Sequence, residues 1–358
     1  MTGKFEIHFC NVRGLRANFF AVYAHLCVHR PSVLAVCETQ VCEDADPMDF
    51  HMSGYTFLSA FFPHRGLAIY IRNDIVYQSQ QHLFTSDAEF SALWLKFKVQ
   101  SHIAHFCFVY RSPSLAKDST FNKIDCLSDS ISKILESYPD SEIIVAGDFN
   151  IHNSNWLHHS SHTSREGLYV ELFAENNNLK QLVKEPTYFP NVEGQCQNIL
   201  DLFMTSDPEK YEVHNLAPLG NSDHMTISAS FSYSPTMSAS IPAPKRKLWL
   251  YAKADWRALN EFFDKFNWNL CFLDKNIDSA AEMVSNIILL GMRLYIPSKI
   301  KSNKSKDRSW FNKTCIDAVR SKEEAFIEWK SNPTSENEPL RKEASNICNA
   351  ILKQPAVV

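Results

Sequence analysis

Residues 142–152 have the sequence Glu-Ile-Ile-Val-Ala-Gly-Asp-Phe-Asn-Ile-His, and this stretch decides the fold. Its first five residues are mostly apolar, which is typical of a strand buried between two layers. Gly147 ends the strand, and Asp148 and Asn150 follow directly. Loops at strand ends are where a rigid sheet presents functional side chains. The stretch therefore predicts a buried strand with a carboxylate and an amide at its end.

The same pattern recurs along the first two-thirds of the chain, where short apolar or alternating runs end in polar residues. Helical stretches closed by proline separate several of these runs. Because strands outnumber helices, we predict the fold class α/β, a two-sheet α/β sandwich with helices outside, followed by a small helical segment. The predicted strands are Phe5–Cys10, Val33–Cys37, Gly66–Arg72, Ala92–Lys98, Ile103–Tyr110, Glu142–Ala146, Ile199–Met204 and Met225–Phe231.

Charge is distributed unevenly along the 358 residues, whose formal net charge is −4. Residues 1–232 contain 16 Lys and Arg against 26 Asp and Glu, a net charge of −10, and all 14 histidines. Residues 233–358 have a net charge of +6. Proline, serine and alanine dominate residues 233–247, which indicates a linker. We predict an α/β domain over 1–232, this linker, and a helical segment over 248–358.

The ten cysteines include no Cys-x-x-Cys pair, and no apolar run approaches membrane-spanning length. These features favour reduced thiols in an intracellular protein with no membrane partner. Pro244-Lys245-Arg246-Lys247 is similar to a short nuclear-localisation cluster. We therefore expect an intracellular, nuclear location.

Unusual polar residues lie at or near the ends of six predicted strands. Each one alone is compatible with a turn or a solvated loop. Asp201 is the exception, because it lies inside an apolar strand, where an unpaired carboxylate is costly. His224 is its natural partner. The set is Asn11, Glu38, Tyr110, Arg111, Asp148, Asn150, Asp201, Asp223 and His224.

Together these residue types predict hydrolysis of a phosphate ester. Carboxylates hold a hard divalent cation through oxygen, and Mg²⁺ fits such ligands best. The cation polarises a phosphoryl oxygen, while a further carboxylate orients or deprotonates water. A His–Asp pair favours the charged imidazole, which stabilises a negatively charged transition state.

Eight motifs carry a specific resemblance over residues 1–232. In these motifs the sequence resembles the endonuclease/exonuclease/phosphatase superfamily, which includes apurinic endonucleases and pancreatic-type deoxyribonuclease. Within it, the sequence closely resembles the endonuclease domain of jockey-type non-LTR retrotransposon polyproteins. The motifs are Asn11-Val12-Arg13-Gly14-Leu15, Leu34-Ala35-Val36-Cys37-Glu38-Thr39, Gly66-Leu67-Ala68-Ile69-Tyr70, Tyr110-Arg111-Ser112-Pro113-Ser114, Gly147-Asp148-Phe149-Asn150-Ile151-His152, Glu185-Pro186-Thr187, Leu200-Asp201-Leu202 and Gly220-Asn221-Ser222-Asp223-His224.

The resemblance implies a role for each matched residue. Catalytic roles fall to Asp148, Asn150, His224, Tyr110, Asp201 and Asp223. Metal ligation falls to Glu38, Asn11 and Asp223, with Mg²⁺ as the cofactor and Mn²⁺ as a substitute. Substrate binding falls to Asn150, His224, Arg111, Thr187 and Ser222. Arg13 lies at a position where apurinic endonucleases have an acidic residue. This difference argues against an enzyme dedicated to abasic-site repair.

The implied function is a Mg²⁺-dependent endonuclease that nicks double-stranded DNA and leaves the 3′-hydroxyl that primes reverse transcription. One alternative keeps the fold with another substrate, as in inositol-phosphate phosphatases, sphingomyelinases or deadenylases. Another alternative is a non-catalytic retroelement remnant that binds DNA.

The resemblance extends beyond residue 247. Residues 308–315 are similar to the helical segment that precedes the reverse transcriptase in these polyproteins. No polymerase motif follows, so we expect a truncated copy. The basic run from Lys299 to Arg308 is interpreted either as a contact for element RNA or as a solvated loop.

Overall fold

The computed structural model describes residues 3–42, 45–62, 65–87, 89–99, 102–190, 196–233, 245–273, 277–302, 310–334 and 336–353. The strands are β1 Gly3–Asn11, β2 Val33–Cys37, β3 Tyr55–Ala60, β4 Leu67–Arg72, β5 Tyr77–Ser79, β6 Thr85–Ser86, β7 Phe90–Val99, β8 His102–Arg111, β9 Glu142–Asp148, β10 Lys180–Gln181, β11 Asp201–Thr205, β12 Glu212–Leu216, β13 Thr226–Tyr233, β14 Lys245–Trp249 and β15 Ser298–Ser302. The α-helices are α1 Leu15–His29, α2 Lys117–Ser137, α3 Arg165–Asn176, α4 Trp256–Lys265, α5 Ile277–Tyr295, α6 Lys313–Ser331 and α7 Asn337–Lys353.

Two mixed sheets are built from the first thirteen strands. The first sheet has the order β12-β13-β1-β2-β4-β3, and the second has the order β10-β11-β9-β8-β7-β5, with β6 paired to β7. A continuous apolar core contains side chains from both sheets, including Phe5, Phe97 and Phe106, which are almost completely buried. Full burial of each such ring stabilises the fold by about 1.5–3 kcal/mol. The predicted two-sheet α/β sandwich is therefore confirmed.

Each sheet contains one parallel strand pair joined by a helix. Strands β1 and β2 are parallel and are connected by α1, and strands β8 and β9 are parallel and are connected by α2. Parallel neighbours end at the same edge of their sheet. The carboxyl ends of the four strands therefore present the polar residues that follow them in the sequence.

Gly147 allows β9 to approach β8 closely. A Cβ atom built on this residue would lie 1.8 Å from the carbonyl oxygen of Val109, which no side chain can occupy. The backbone at Gly147 has a φ of 153°. This glycine is therefore required for the parallel pairing that places Tyr110 beside Asp148 in register.

Helices α6 and α7 pack on the sandwich and belong to its compact unit. That unit comprises residues 1–241 and 306–358, while residues 242–305 form a second unit. Buried residues of α6 and α7, including Val319 and Leu352, cluster with Ala24 of α1. The predicted helical segment over 248–358 is thus divided between two units. The sequence did not indicate this division, because the apolar stripe of a helix does not specify the surface that it covers.

The second unit also departs from the prediction of helices alone. Strands β14 and β15 pair in antiparallel fashion, so residues 245–247 of the predicted linker lie in a strand. Helix α4 begins where the Asp255 side chain accepts a hydrogen bond from Ala258 N. The ring of Phe263 in α4 lies directly against Gly291 of α5, where a Cβ atom would be only 2.8 Å from it. Residues 234–244 of the linker and 303–308 of the basic run lie outside the described residues. None of the described helices is both long and apolar enough to cross a bilayer.

We predict that Gly147→Ala lowers the free energy of unfolding by about 3 kcal/mol or more, because the new methyl group overlaps Val109 and forces the strands apart. Gly54→Ala is the matched control. Gly54 also has a positive φ, of 82°, but a Cβ there meets nothing within 4 Å. The control should lose only the backbone cost of about 1–2 kcal/mol. Urea unfolding measures both values, and equal losses would contradict the role of close approach.

Candidate active site

Asp148 and Asp201 are brought face to face by strand register. Asp148 ends β9, Asp201 begins β11, and the two residues are directly opposite in the antiparallel pair. Both carboxylates are completely buried. His224 lies just before β13, and its Nδ1 donates to Asp201 Oδ2 at 2.8 Å. Ligand atoms of the three side chains all lie within 4.8 Å of one another.

The pKa values of Asp148 and His224 are both raised in this cluster, for different physical reasons. Burial and the charge of Asp201 raise the pKa of Asp148 well above its usual value. Burial by itself lowers the pKa of His224, but the charge and hydrogen bond of Asp201 outweigh that effect and raise it to about 9. His224 is therefore charged at neutral pH. This charged imidazole offsets part of the negative charge that the two carboxylates would bring into the interior.

Asn11 holds Asp148 in place. Its Nδ2 donates to Asp148 Oδ2 at 2.9 Å, and its Oδ1 accepts from Arg13 N at 3.1 Å. Asn150 contacts Asp148 through its backbone and not through its side chain. Its backbone N donates to Asp148 Oδ1 at 3.1 Å, while its Nδ2 donates to Arg111 O at 2.8 Å. The amide that orients the Asp148 carboxylate is therefore that of Asn11.

Glu38 and Tyr110 form a second polar contact at the edge of the sandwich. The Tyr110 hydroxyl donates to Glu38 Oε1 at 3.1 Å. Burial, followed by the charge of Glu38, raises the pKa of Tyr110, so its proton stays on the hydroxyl at neutral pH. Glu38 is partly exposed, and it is the acidic residue that begins the loop after β2. This contact fixes one carboxylate oxygen of Glu38.

Arg13 pairs with Asp223, a contact that the sequence interpretation did not include. Arg13 Nη1 forms a short hydrogen bond with Asp223 Oδ2, and half of the Arg13 side chain is exposed. The only sequence signal was the position of Arg13, between Asn11 and Gly14 in the first motif. The ion pair places a fixed positive charge beside His224.

Three residues expected to bind substrate have internal partners. The Arg111 guanidinium donates to the carbonyl oxygens of Phe149 and Asn150 and is buried. Thr187 Oγ1 accepts from the backbone N of Asp201. Ser222 Oγ donates to Asn11 O at 2.6 Å and accepts from His224 N. Because of these internal hydrogen bonds, the three residues support the loops of the site. The sequence motifs alone do not show whether a polar side chain faces inward or toward the substrate.

An open cleft of about 480 Å³ lies over the cluster. Asp148 is fully buried and does not line this cleft, whereas His224 of the same cluster does. Tyr188 on the wall was also missed from the sequence. Its ring lies 5.1 Å from that of His224, and its backbone forms an isolated bridge with the same residue. The lining includes Arg13, Glu38, Asn150, Tyr188, Asp223 and His224.

Three of the residues that line this cleft have left-handed backbone conformations, which also occur at four described residues that do not line it, Arg30, Gln40, His159 and Asn178. Arg13, Glu38 and Asn150 have φ values of 45°, 48° and 48°. Asparagine tolerates this left-handed region, but arginine and glutamate occupy it at a cost. Strained residues persist where the surrounding structure holds them, and they are often found at functional sites.

The donor set fits a hard divalent cation. Asp201 Oδ1 and Asp223 Oδ1 are buried carboxylate oxygens without a hydrogen-bond partner in the described part of the chain. Such oxygens are costly unless a cation or donor reaches them. Glu38 and Asp223 both line the cleft, so a cation bound there would have carboxylate ligands from two sides.

Comparison with protein families supports the sequence resemblance. The family model described as Endonuclease-reverse transcriptase matches residues 104–228. This stretch contains Tyr110, Asp148, Asp201 and His224. The chain therefore resembles the endonuclease part of retroelement proteins, as its motifs indicated. No curated protein sequence matches the chain.

Solved structures with the same architecture support the fold. The AP endonuclease LMAP from Leishmania major is 16% identical with a TM-score of 0.52, covering 64% of this chain and 88% of its own. The catalytic domain of Xenopus laevis APE2 is 13% identical with a TM-score of 0.50, covering 65% and 94%. The endonuclease domain of TRAS1, a telomere-specific non-LTR retrotransposon, is 14% identical with a TM-score of 0.49, covering 64% and 98%. The first two structures show that this chain has the fold of a DNase I-like α/β sandwich. Their low sequence identities limit the comparison to the fold.

The His224–Asp201 pair predicts a fall in stability at alkaline pH. The pKa of His224 rises from 6.5 to about 9 on folding, so its contribution is complete below pH 6.5 and is lost as pH rises through 9. Between pH 6.5 and 8.5, with EDTA present, we expect the free energy of unfolding to fall by about 2 kcal/mol.

Asp201→Asn is the comparison variant for this pH dependence. It removes the charge that raises the pKa of His224, so its free energy of unfolding should change little over the same interval. Urea unfolding at several pH values measures both slopes. Parallel slopes for the two proteins would show that this ion pair does not cause the pH dependence.

Proposed function

We propose that this protein is a Mg²⁺-dependent endonuclease that hydrolyses one strand of double-stranded DNA and leaves a 3′-hydroxyl. The observation that supports this most directly is the buried Asp148–Asp201–His224 cluster beneath a cleft lined by Glu38 and Asp223. These groups match what phosphodiester hydrolysis requires, which is a cation site, a base and a charged donor.

Glu38 and Asp223 are the residues proposed to hold the cation. Both line the cleft, and Asp223 Oδ1 has no hydrogen-bond partner among the residues that the structure describes. When bound, Mg²⁺ would polarise a phosphoryl oxygen and offset the charge that develops on it. The Tyr110 hydroxyl keeps Glu38 oriented toward this position through its hydrogen bond.

Asp148 is the proposed acceptor of the proton from the attacking water. Burial and the charge of Asp201 raise the pKa of Asp148 above its usual value, and a carboxylate with a higher proton affinity is a stronger base. Asn11 Nδ2 and Asn150 N fix both of its oxygens. Because Asp148 is fully buried in the free protein, binding of the substrate must open a path between the carboxylate and the water.

His224 is the proposed donor to the scissile phosphate. Asp201 occupies Nδ1, which leaves Nε2 of the charged ring for the cleft that His224 lines. Arg13 adds a second positive charge at the same wall. Arg13 and His224 line the cleft together with Glu38 and Asp223, so a divalent cation held by the two carboxylates would give the cleft a local excess of positive charge, although residues 1–232 carry a net charge of −10. We therefore propose contacts concentrated at the scissile phosphate and weak attraction elsewhere.

Nicking of supercoiled plasmid with Mg²⁺ or with EDTA tests the proposed function. Wild-type protein should nick only with Mg²⁺, and a DNA polymerase should extend the nicks without phosphatase treatment. Glu38→Gln and His224→Gln should each lower the nicking rate on the order of 10²-fold or more, because each removes a group that stabilises developing charge.

Glu212→Gln is the control variant. Glu212 is an exposed carboxylate on β12, and its replacement should leave the rate unchanged. Undiminished nicking by Glu38→Gln or His224→Gln would contradict the assigned site. Release of inorganic phosphate from a 3′-phosphate end without nicking would favour the phosphatase alternative, and absence of both activities would favour the DNA-binding remnant.

A further inference from the structure

We propose that α6 and α7 position the loop of residues 217–225, which carries Asp223 and His224, and that Lys322 and Asn349 are positioning residues for the reaction. Both residues lie more than 95 positions after this loop in the sequence. This inference rests on the proposed function of the site and adds residues that the motifs of residues 1–232 do not contain.

Lys322 of α6 holds the beginning of the loop. Its Nζ donates to the carbonyl oxygen of Pro218, and the side chain is almost completely buried. Burial lowers the pKa of Lys322. A buried amine is costly unless it has a partner, so the contact with Pro218 is favoured over a rearranged loop. Replacement of the amine would leave the Pro218 carbonyl without this donor.

Asn349 of α7 holds the middle of the loop. Its Nδ2 donates to Gly220 O at 3.1 Å and to Asn221 Oδ1 at 2.8 Å. From the opposite side, Asn18 Oδ1 of α1 accepts from Asn221 N at 3.0 Å. The loop is therefore held between two helices by side-chain amides.

The shape of the loop requires Gly220. Its φ is 61°, and a Cβ there would lie 2.1 Å from Asn18 Oδ1. The loop backbone therefore lies directly against α1, and Asn349 closes the other side. Little freedom remains for the two residues that follow before Asp223.

Apolar contacts from α6 fix both ends of the same loop. Phe326 and Trp329 cluster with Ala217, where the loop begins, and with Met225, where it ends. Phe189 packs on this cluster, with its ring 5.3 Å from that of Trp329. One helix thus supports both ends of a loop whose centre the other helix holds.

The geometry of the site depends on this loop. Ser222 links it to β1 by donating to Asn11 O, and His224 N donates to Ser222 Oγ. A displaced loop would move His224 relative to Asp201 and Asp223 relative to Arg13. Errors of about 1 Å in such geometry reduce turnover on the order of 10²-fold. Lys322 and Asn349 should therefore affect turnover without contacting DNA.

The test uses Lys322→Met and Asn349→Leu in the full chain. Both replacements fill the buried space while removing the donors, so the helices should remain packed. Arg320→Met is the matched control, because Arg320 is an exposed cation on the same helix. Lys322→Arg keeps a donor and should restore the function of the loop. Hydrogen exchange by mass spectrometry and nicking kinetics are measured for each protein.

In the two test variants, we expect the amides of residues 219–224 to exchange about tenfold faster, with the melting temperature unchanged. We also expect kcat to fall about tenfold, KM for plasmid to stay constant, and Lys322→Arg to recover most of kcat.

Unchanged exchange, or faster exchange with unchanged kcat, would overturn the positioning role. A loss of kcat that occurs together with a lower melting temperature, and that disappears when the assay is run at a lower temperature, would also overturn the positioning role. If wild-type protein does not nick DNA, the proposed function fails, and the catalytic part of this inference fails with it. Hydrogen exchange then still decides separately whether the two helices hold the loop.

Discussion

The placement of Asp148 directly opposite Asp201 is the constraint on which the rest of the site depends. Two like charges at adjacent, fully buried positions of a sheet repel each other and lose their hydration. The fold stabilises them with one charged imidazole, one amide and one backbone N–H. Among the described residues, Asp201 Oδ1 and Asp223 Oδ1 have no hydrogen-bond partner, and buried carboxylate oxygens of this kind suit a divalent cation. The stability of the site and its suitability for a cation therefore have the same electrostatic origin.

The sequence predicted the sandwich, and it indicated that polar residues gather at the strand ends, because both features depend on local patterns. Apolar runs marked the strands, and polar residues such as Glu38 and Asp148 followed them directly. Asp201 was informative because a carboxylate inside an apolar strand needs a partner, and His224 is that partner in the structure. The carboxyl ends of the parallel strands present Asn11, Glu38, Tyr110 and Asp148, and the amino ends of their antiparallel neighbours β11 and β13 bring Asp201 and His224 to the same edges.

The features that the sequence did not predict all depend on contacts between distant parts of the chain. Arg111 donates to loop carbonyl oxygens, and Arg13 pairs with Asp223. Both contacts depend on the direction in which the arginine side chain points, and the sequence does not show that direction. The periodicity of α6 and α7 predicted helices but not the surface that they cover. No local signal in residues 313–353 identifies the carbonyl of Pro218 as the partner of Lys322.

The return of α6 and α7 to the first compact unit has a consequence for synthesis on the ribosome. His224 and the end of α7 are 129 residues apart in the sequence. At about 5–20 residues per second, both sheets emerge roughly 10 s before the helices that cover them. During this interval, apolar residues such as Ala24, Ala217 and Met225 lack their final covering. The nascent chain thus has a late folding step, and chaperones that bind apolar surface would act in that interval.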